Sequence, residues 1–132
     1  MSRPNIILFM ADQMSALALR EYGNDTLIAP NIARLAERGV TFRNAYTNYP
    51  ICAPSRYTAL TGRLAQAIDA FDNAAELSSS VPTLMHYLRR MGYRTALSGK
   101  MHFVGADQLH GYQERLTSDI YPADFAWVPD WK

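Results

Sequence analysis

Cys52, Arg56, Lys100 and His102 carry the side chains best suited to covalent and acid–base chemistry in this chain, and Asp12 adds a carboxylate. A thiol is a potential nucleophile, guanidinium and ammonium groups hold anions, and imidazole exchanges a proton near neutral pH. Cys52 and Arg56 stand about one helical turn apart, in a segment that reads as the start of a short helix. A helix beginning beside residue 52 points backbone N–H groups at an anion, and Arg56 offers a planar cationic fork one turn later. Taken singly, each residue has a bland reading. A lone cysteine is usually a buried hydrophobe, an isolated arginine a surface ion pair, and a lysine and histidine after a strand an exposed loop. Their company points to a site.

The elements that must position them follow from hydrophobic pattern. Residues 5–10 form a continuous apolar run rich in β-formers, which predicts a strand buried on both faces, with Asp12 and Gln13 just past its carboxyl end. Pro30 and Gly39 bracket a predicted helix whose apolar stripe is Ile32, Leu35 and Ala36. Residues 40–46 alternate as a second strand, and residues 55–64 suit a helix. Residues 65–80 read as loop. Ser80 is placed to cap a helix with Pro82 near its first turn and Leu84, Leu88 and Met91 on its buried face, ending at Gly92. Residues 93–98 predict a third strand, followed at once by Gly99, Lys100, Met101 and His102. His86 falls on the helix as a packing histidine, and His110 has no partner legible in the sequence.

This order predicts an α/β fold with a mostly parallel sheet flanked by helices. Ligands of such sheets sit beyond the carboxyl ends of the strands, where Asp12, Cys52, Lys100 and His102 all fall.

Composition narrows the class. The 132 residues are 48% hydrophobic and 19% charged, an ordinary globular balance. A formal charge of +1 argues against a nucleic-acid binder or a surface held to anionic lipid. No stretch approaches the roughly 20 apolar residues of a membrane span, and residues 1–4 read as a plain cytoplasmic start. A single cysteine rules out an internal disulfide.

Two segments carry a family resemblance. Cys52-Ala53-Pro54-Ser55-Arg56, followed by Leu60-Thr61-Gly62, resembles the C-x-P-S-R and L-T-G signature of sulfatases. Gly92-Tyr93-Arg94-Thr95, followed by Gly99-Lys100-Met101-His102, resembles the second signature of that family. The resemblance implies a partial alkaline-phosphatase-like sandwich, with residues 1–132 the N-terminal part of a sulfatase catalytic domain. It implies that a formylglycine-generating or equivalent maturation enzyme oxidises Cys52 to formylglycine. One hydroxyl of the hydrated aldehyde attacks sulfur and the other later expels sulfate. Arg56 would hold the diol or a sulfate oxygen, Lys100 would damp negative charge as the S–O bond breaks, and His102 would act as general base.

The resemblance also implies a hard divalent cation, calcium foremost with magnesium or manganese as alternatives, held by Asp12, Gln13 and the modified Cys52. Many sulfatases have two aspartates where this chain has Asp12-Gln13, so one carboxylate is replaced by an amide oxygen.

Residues 10–13, 46–56, 71–76, 98–105 and 119–125 are similar to the choline-sulfatase branch of the family. That branch implies choline O-sulfate as substrate, with Trp127 or Trp131 presenting a π face to the quaternary ammonium. A phosphonate monoester or phosphodiester hydrolase of the same superfamily shares the Asp-Gln pair. From another class, a non-catalytic binding remnant fits a chain without the downstream Asp-Asn metal pair of the family. The full-length protein is expected to be capable of homo-oligomerisation. Half a parallel sheet should leave an open edge and an uncovered apolar face, hence association of the isolated chain.

Overall fold

The computed structural model describes residues 3–119. The chain divides into two compact units, Met1–Tyr46 and Thr47–Lys132. No helix among the described residues is long and apolar enough to cross a membrane.

In the first unit, two 3-10 turns, Ala16–Ala18 and Arg20–Tyr22, precede helix α1, Pro30–Arg38. Proline at the first helical position needs no N–H partner, and Gly39 ends the helix, as the sequence predicts. The stripe Ile32, Leu35 and Ala36 lines a cleft with Leu19, Tyr22, Val40 and Phe42, and the Tyr22 hydroxyl donates to the Phe42 carbonyl at 2.7 Å. The two expected strands at 5–10 and 40–46 do not form ladders among the described residues. Ile7 and Phe9 are 88% and 87% exposed. An apolar run becomes a strand only when a neighbouring strand takes its N–H and C=O groups, and among the described residues no strand of this unit does so.

The second unit holds helix α2, Cys52–Thr61, helix α3, Leu84–Arg90, and strands β1, Ala96–Leu97, and β2, Glu114–Arg115. Helix α2 begins three residues earlier than expected. Pro54 is tolerated in its first turn, and Gly62, at φ 66°, stops it in the left-handed region. Helix α3 is shorter than expected: Thr83, not Ser80, stands at its cap, where the Thr83 N–H donates to His86 Nδ1 at 3.1 Å. His86 therefore caps the helix.

β1 and β2 pair in parallel, Ala96 with Glu114 and Leu97 with Arg115. The parallel sheet is thus present but has two short strands among the described residues. The core of the unit joins Tyr57 and Leu60 of α2 and Met85 of α3 to Leu77, Leu97, Met101 and Phe103. Residues 53, 57 and 60 repeat at helical spacing, so α2 buries one face along its length.

Candidate functional site

α2 and the loop after β1 build the site in the second unit. Cys52 is the first residue of α2 and is partly exposed, so its side chain meets solvent while Ala53, Pro54, Arg56 and Tyr57 are buried behind it. Lys100 is partly exposed, whereas His102 is 2% exposed. The loop carrying both turns sharply, with Gly99 at φ 101° and His102 itself at φ 61°.

Two hydrogen bonds tie helix to loop. Arg56 Nη1 donates to the Lys100 carbonyl at 2.7 Å, and the Tyr57 hydroxyl donates to the His102 carbonyl at 2.6 Å. A third residue bridges them. Asn73 Oδ1 accepts the Ala53 N–H at 3.0 Å, and the Asn73 backbone faces the His102 ring, where it favours the protonated form. The structure therefore ties the helix that begins at Cys52, through Arg56 and Tyr57, to the backbone of Lys100 and His102. Tyr57 and Asn73 were missed as framework residues, because their partners lie in distant sequence.

The helix start offers an anion less than expected. Pro54 has no N–H, the Ala53 N–H is engaged by Asn73, and the Ser55 N–H is turned back to the Ile51 carbonyl. Attraction for an anion therefore rests more on the Arg56 and Lys100 side chains than on the helix start.

Burial pushes the His102 imidazole below its ordinary pKa, and the charges of Lys100 and Arg56 push the same way against the opposing Asp119 carboxylate and the Asn73 backbone. The ring is thus held neutral at neutral pH, the state that accepts a proton.

Asp12 and Gln13 lie in the first unit, exposed at a turn, with Gln13 at φ 56°. Adjacent carboxylate and amide oxygens are hard donors, a set that fits calcium or magnesium. Among the described residues no group of three or more His, Cys, Asp or Glu side chains converges to hold a metal. Trp127 and Trp131, expected at the ammonium group, lie outside the described residues. Asp72 is exposed, its carboxylate accepting the Ala74 N–H at 2.8 Å, as a solvated loop carboxylate does.

Known proteins resemble the chain over nearly its whole length. The sequence model of the Sulfatase family matches residues 4–127. The chain is 54% identical over 130 residues to a choline-sulfatase of Rhizobium meliloti, covering 98% of this chain and 25% of that protein. It is 34% identical over 130 residues to an N-acetylglucosamine-6-O-sulfatase of Bacteroides thetaiotaomicron, covering 93% of this chain and 23% of that protein. A solved structure in complex with its substrate D-glucosamine-2-N,6-O-disulfate superposes with a TM-score of 0.80 at 33% identity, over 86% of this chain and 23% of that one. The chain thus spans about a quarter of the length of the relatives it matches.

Proposed function

We propose that this chain, which belongs to the sulfatase family, supplies the nucleophile side of the active site of a sulfuric ester hydrolase whose substrate is choline O-sulfate. The observation that carries the reading is the clasp between Arg56 of the C-A-P-S-R segment and the backbone of Lys100, at 2.7 Å. It joins two segments separated in sequence around Cys52. The choline assignment draws support from the 54% identity to a choline-sulfatase.

Cys52 oxidised to formylglycine would supply, as a hydrated aldehyde, one hydroxyl to attack sulfur and a second to expel sulfate. Asp12 and Gln13 would hold a hard divalent cation, which would supply Lewis-acid chemistry. The remaining work falls to side chains of this chain. Arg56, buried and fixed by its bond to the loop, would bring its guanidinium charge to a sulfate oxygen without reorganising. Lys100 offsets the negative charge that grows as the S–O bond breaks. His102, neutral at working pH, takes a proton from the second hydroxyl on an imidazole nitrogen and so promotes expulsion of sulfate.

Trp127 or Trp131 would face the quaternary ammonium through its π face. Trp127→Ala should then raise KM for choline sulfate, and an unchanged KM removes that residue from the pocket. The protein needs a maturation enzyme for Cys52 and acts without nucleic acid.

Turnover by the full-length protein tests the substrate. Hydrolysis of choline sulfate well above that of a phosphonate monoester is expected. Hydrolysis of the phosphonate alone contradicts the choline reading.

A further inference from the structure

We infer that Asp119 is a positioning residue for His102: its carboxylate clamps the backbone on both sides of that histidine and thereby fixes where the imidazole points. The inference rests on the reading of His102 as the proton acceptor.

Asp119 Oδ2 accepts the Met101 N–H at 3.1 Å and the Phe103 N–H at 3.2 Å. These are the residues immediately before and after His102. His102 sits at φ 61°, a left-handed conformation that a residue with a Cβ adopts only at a cost. Such a conformation persists only where the surroundings hold it. Here one carboxylate oxygen gathers two amides that an ordinary extended strand would hold about 6.6 Å apart along one edge. The Tyr57 hydroxyl holds the intervening His102 carbonyl from the α2 side.

The clamp is itself anchored. Arg115 of β2 donates from Nη2 to the same Asp119 oxygen at 2.8 Å, and the Asp119 side chain is 1% exposed. Arg115 Nη1 also reaches the Gln108 carbonyl at 3.0 Å, and Arg115 Nε the Thr117 carbonyl at 3.0 Å. Its guanidinium lies 5.8 Å from the Phe103 ring centroid. A charge-assisted bond to an arginine that is itself held by several acceptors leaves the carboxylate little freedom. The short strand β2 is thus the base from which the His102 backbone is aimed.

The clamp also carries charge. Lys100, Arg56 and Asp119 are the charged groups that act on the His102 ring. Of these, only Asp119 favours its protonated form. Removing the negative charge should therefore lower the pH at which the ring titrates.

The test uses the full-length protein with Asp119→Asn and Asp119→Ala. Asparagine keeps an oxygen for the two amides and loses the charge, whereas alanine loses both. For choline sulfate, Asp119→Ala should lower kcat about 100-fold, the scale of a catalytic group displaced by an ångström. KM should stay within a few-fold, and Asp119→Asn should fall between alanine and wild type. An unchanged kcat in Asp119→Ala, or a loss confined to KM, overturns the inference. If the alanine variant does not fold, the decisive measurement is the His102 ring titration by NMR in wild type and Asp119→Asn. A lower midpoint in Asp119→Asn is expected, and an unchanged midpoint overturns the clamp. The titration needs no turnover, so it decides the clamp even where wild type hydrolyses no sulfate ester and the functional reading itself fails.

Discussion

Arg56 Nη1 and the backbone carbonyl of Lys100 lie 2.7 Å apart. Arg56 is 4% exposed, so its charge is buried on the side of α2 that faces the loop. The bond makes the helix that starts at Cys52 and the turn that ends at His102 parts of one rigid piece.

Substitution of Arg56 should therefore harm both stability and catalysis. Arg56→Ala takes a buried donor from the Lys100 carbonyl and should cost about 1–3 kcal/mol of stability, read as a lower denaturation midpoint. In the full-length protein kcat should fall about 100-fold or more, the scale of losing one charge-stabilising donor. Arg56→Lys should not restore it, because a single ammonium cannot serve a carbonyl and a substrate oxygen with a planar fork. Full activity in Arg56→Lys would contradict this.

Tyr57 governs the alkaline limit. Burial raises its hydroxyl to about 12 from an ordinary 10.0. The folded chain thus keeps the proton more tightly than the unfolded chain does. The resulting stability is present in full below about pH 10 and is lost as pH climbs toward about 12. Tyr57→Phe removes that pH dependence. It also removes the bond to the His102 carbonyl, at a cost of about 1 kcal/mol at neutral pH. Denaturant titrations of both proteins at pH 8 and in the alkaline window read the difference.

What was legible in the sequence was mostly what is local. Helix α1 announces itself by Pro30 and Gly39, because those backbone conformations are set within a few residues, whereas the helix expected over 55–64 overran Gly62, which stops α2. Cys52, Arg56, Lys100 and His102 stood out by motif. The run 5–10 and the stretch 40–46 were misread, since a strand exists only through a partner that alternation cannot supply. β2 was invisible for the opposite reason: Glu114-Arg115 is two charged residues with no period to see. Asn73 and Asp119 act across gaps to Ala53 and to Met101 and Phe103. Only the folded chain shows what a lone Asn or Asp in a loop is holding.

His110 sets an acid limit. It is 1% exposed, its ring centroid is 4.4 Å from that of Phe103, and its Nδ1 lies 3.4 Å from Asp107 Oδ2. Neither ring nitrogen makes a hydrogen bond among the described residues. Burial pushes its pKa below the ordinary 6.5 despite Asp107. The unfolded chain then takes up the proton first. Stability is present above pH 6.5 and is lost as pH falls through the lowered folded value. His110→Phe keeps the ring packing and leaves the Asp107 bonds to the Leu109 and His110 N–H groups in place. It should hold its denaturation midpoint further into acid than the parent chain, and equal acid sensitivity would acquit His110.

The isolated 132-residue chain should self-associate. Ile7, Phe9 and Ile28 are 87–89% exposed in the first unit, an apolar surface beyond what a monomer usually leaves to water. Light scattering should show mass rising with concentration, and Ile7→Lys with Phe9→Lys should reduce it. A monomer at high concentration would contradict the expectation.

The nucleophile itself can be weighed. The full-length protein is expressed in a host that carries the maturation enzyme, and the peptide spanning Cys52 is analysed by mass spectrometry. Conversion of thiol to aldehyde is predicted, seen as a loss of mass at residue 52 that Cys52→Ala abolishes together with turnover of choline sulfate. An unmodified thiol in a protein that still hydrolyses the ester, or an unmodified thiol with no hydrolysis at all, would contradict formylglycine chemistry at this position.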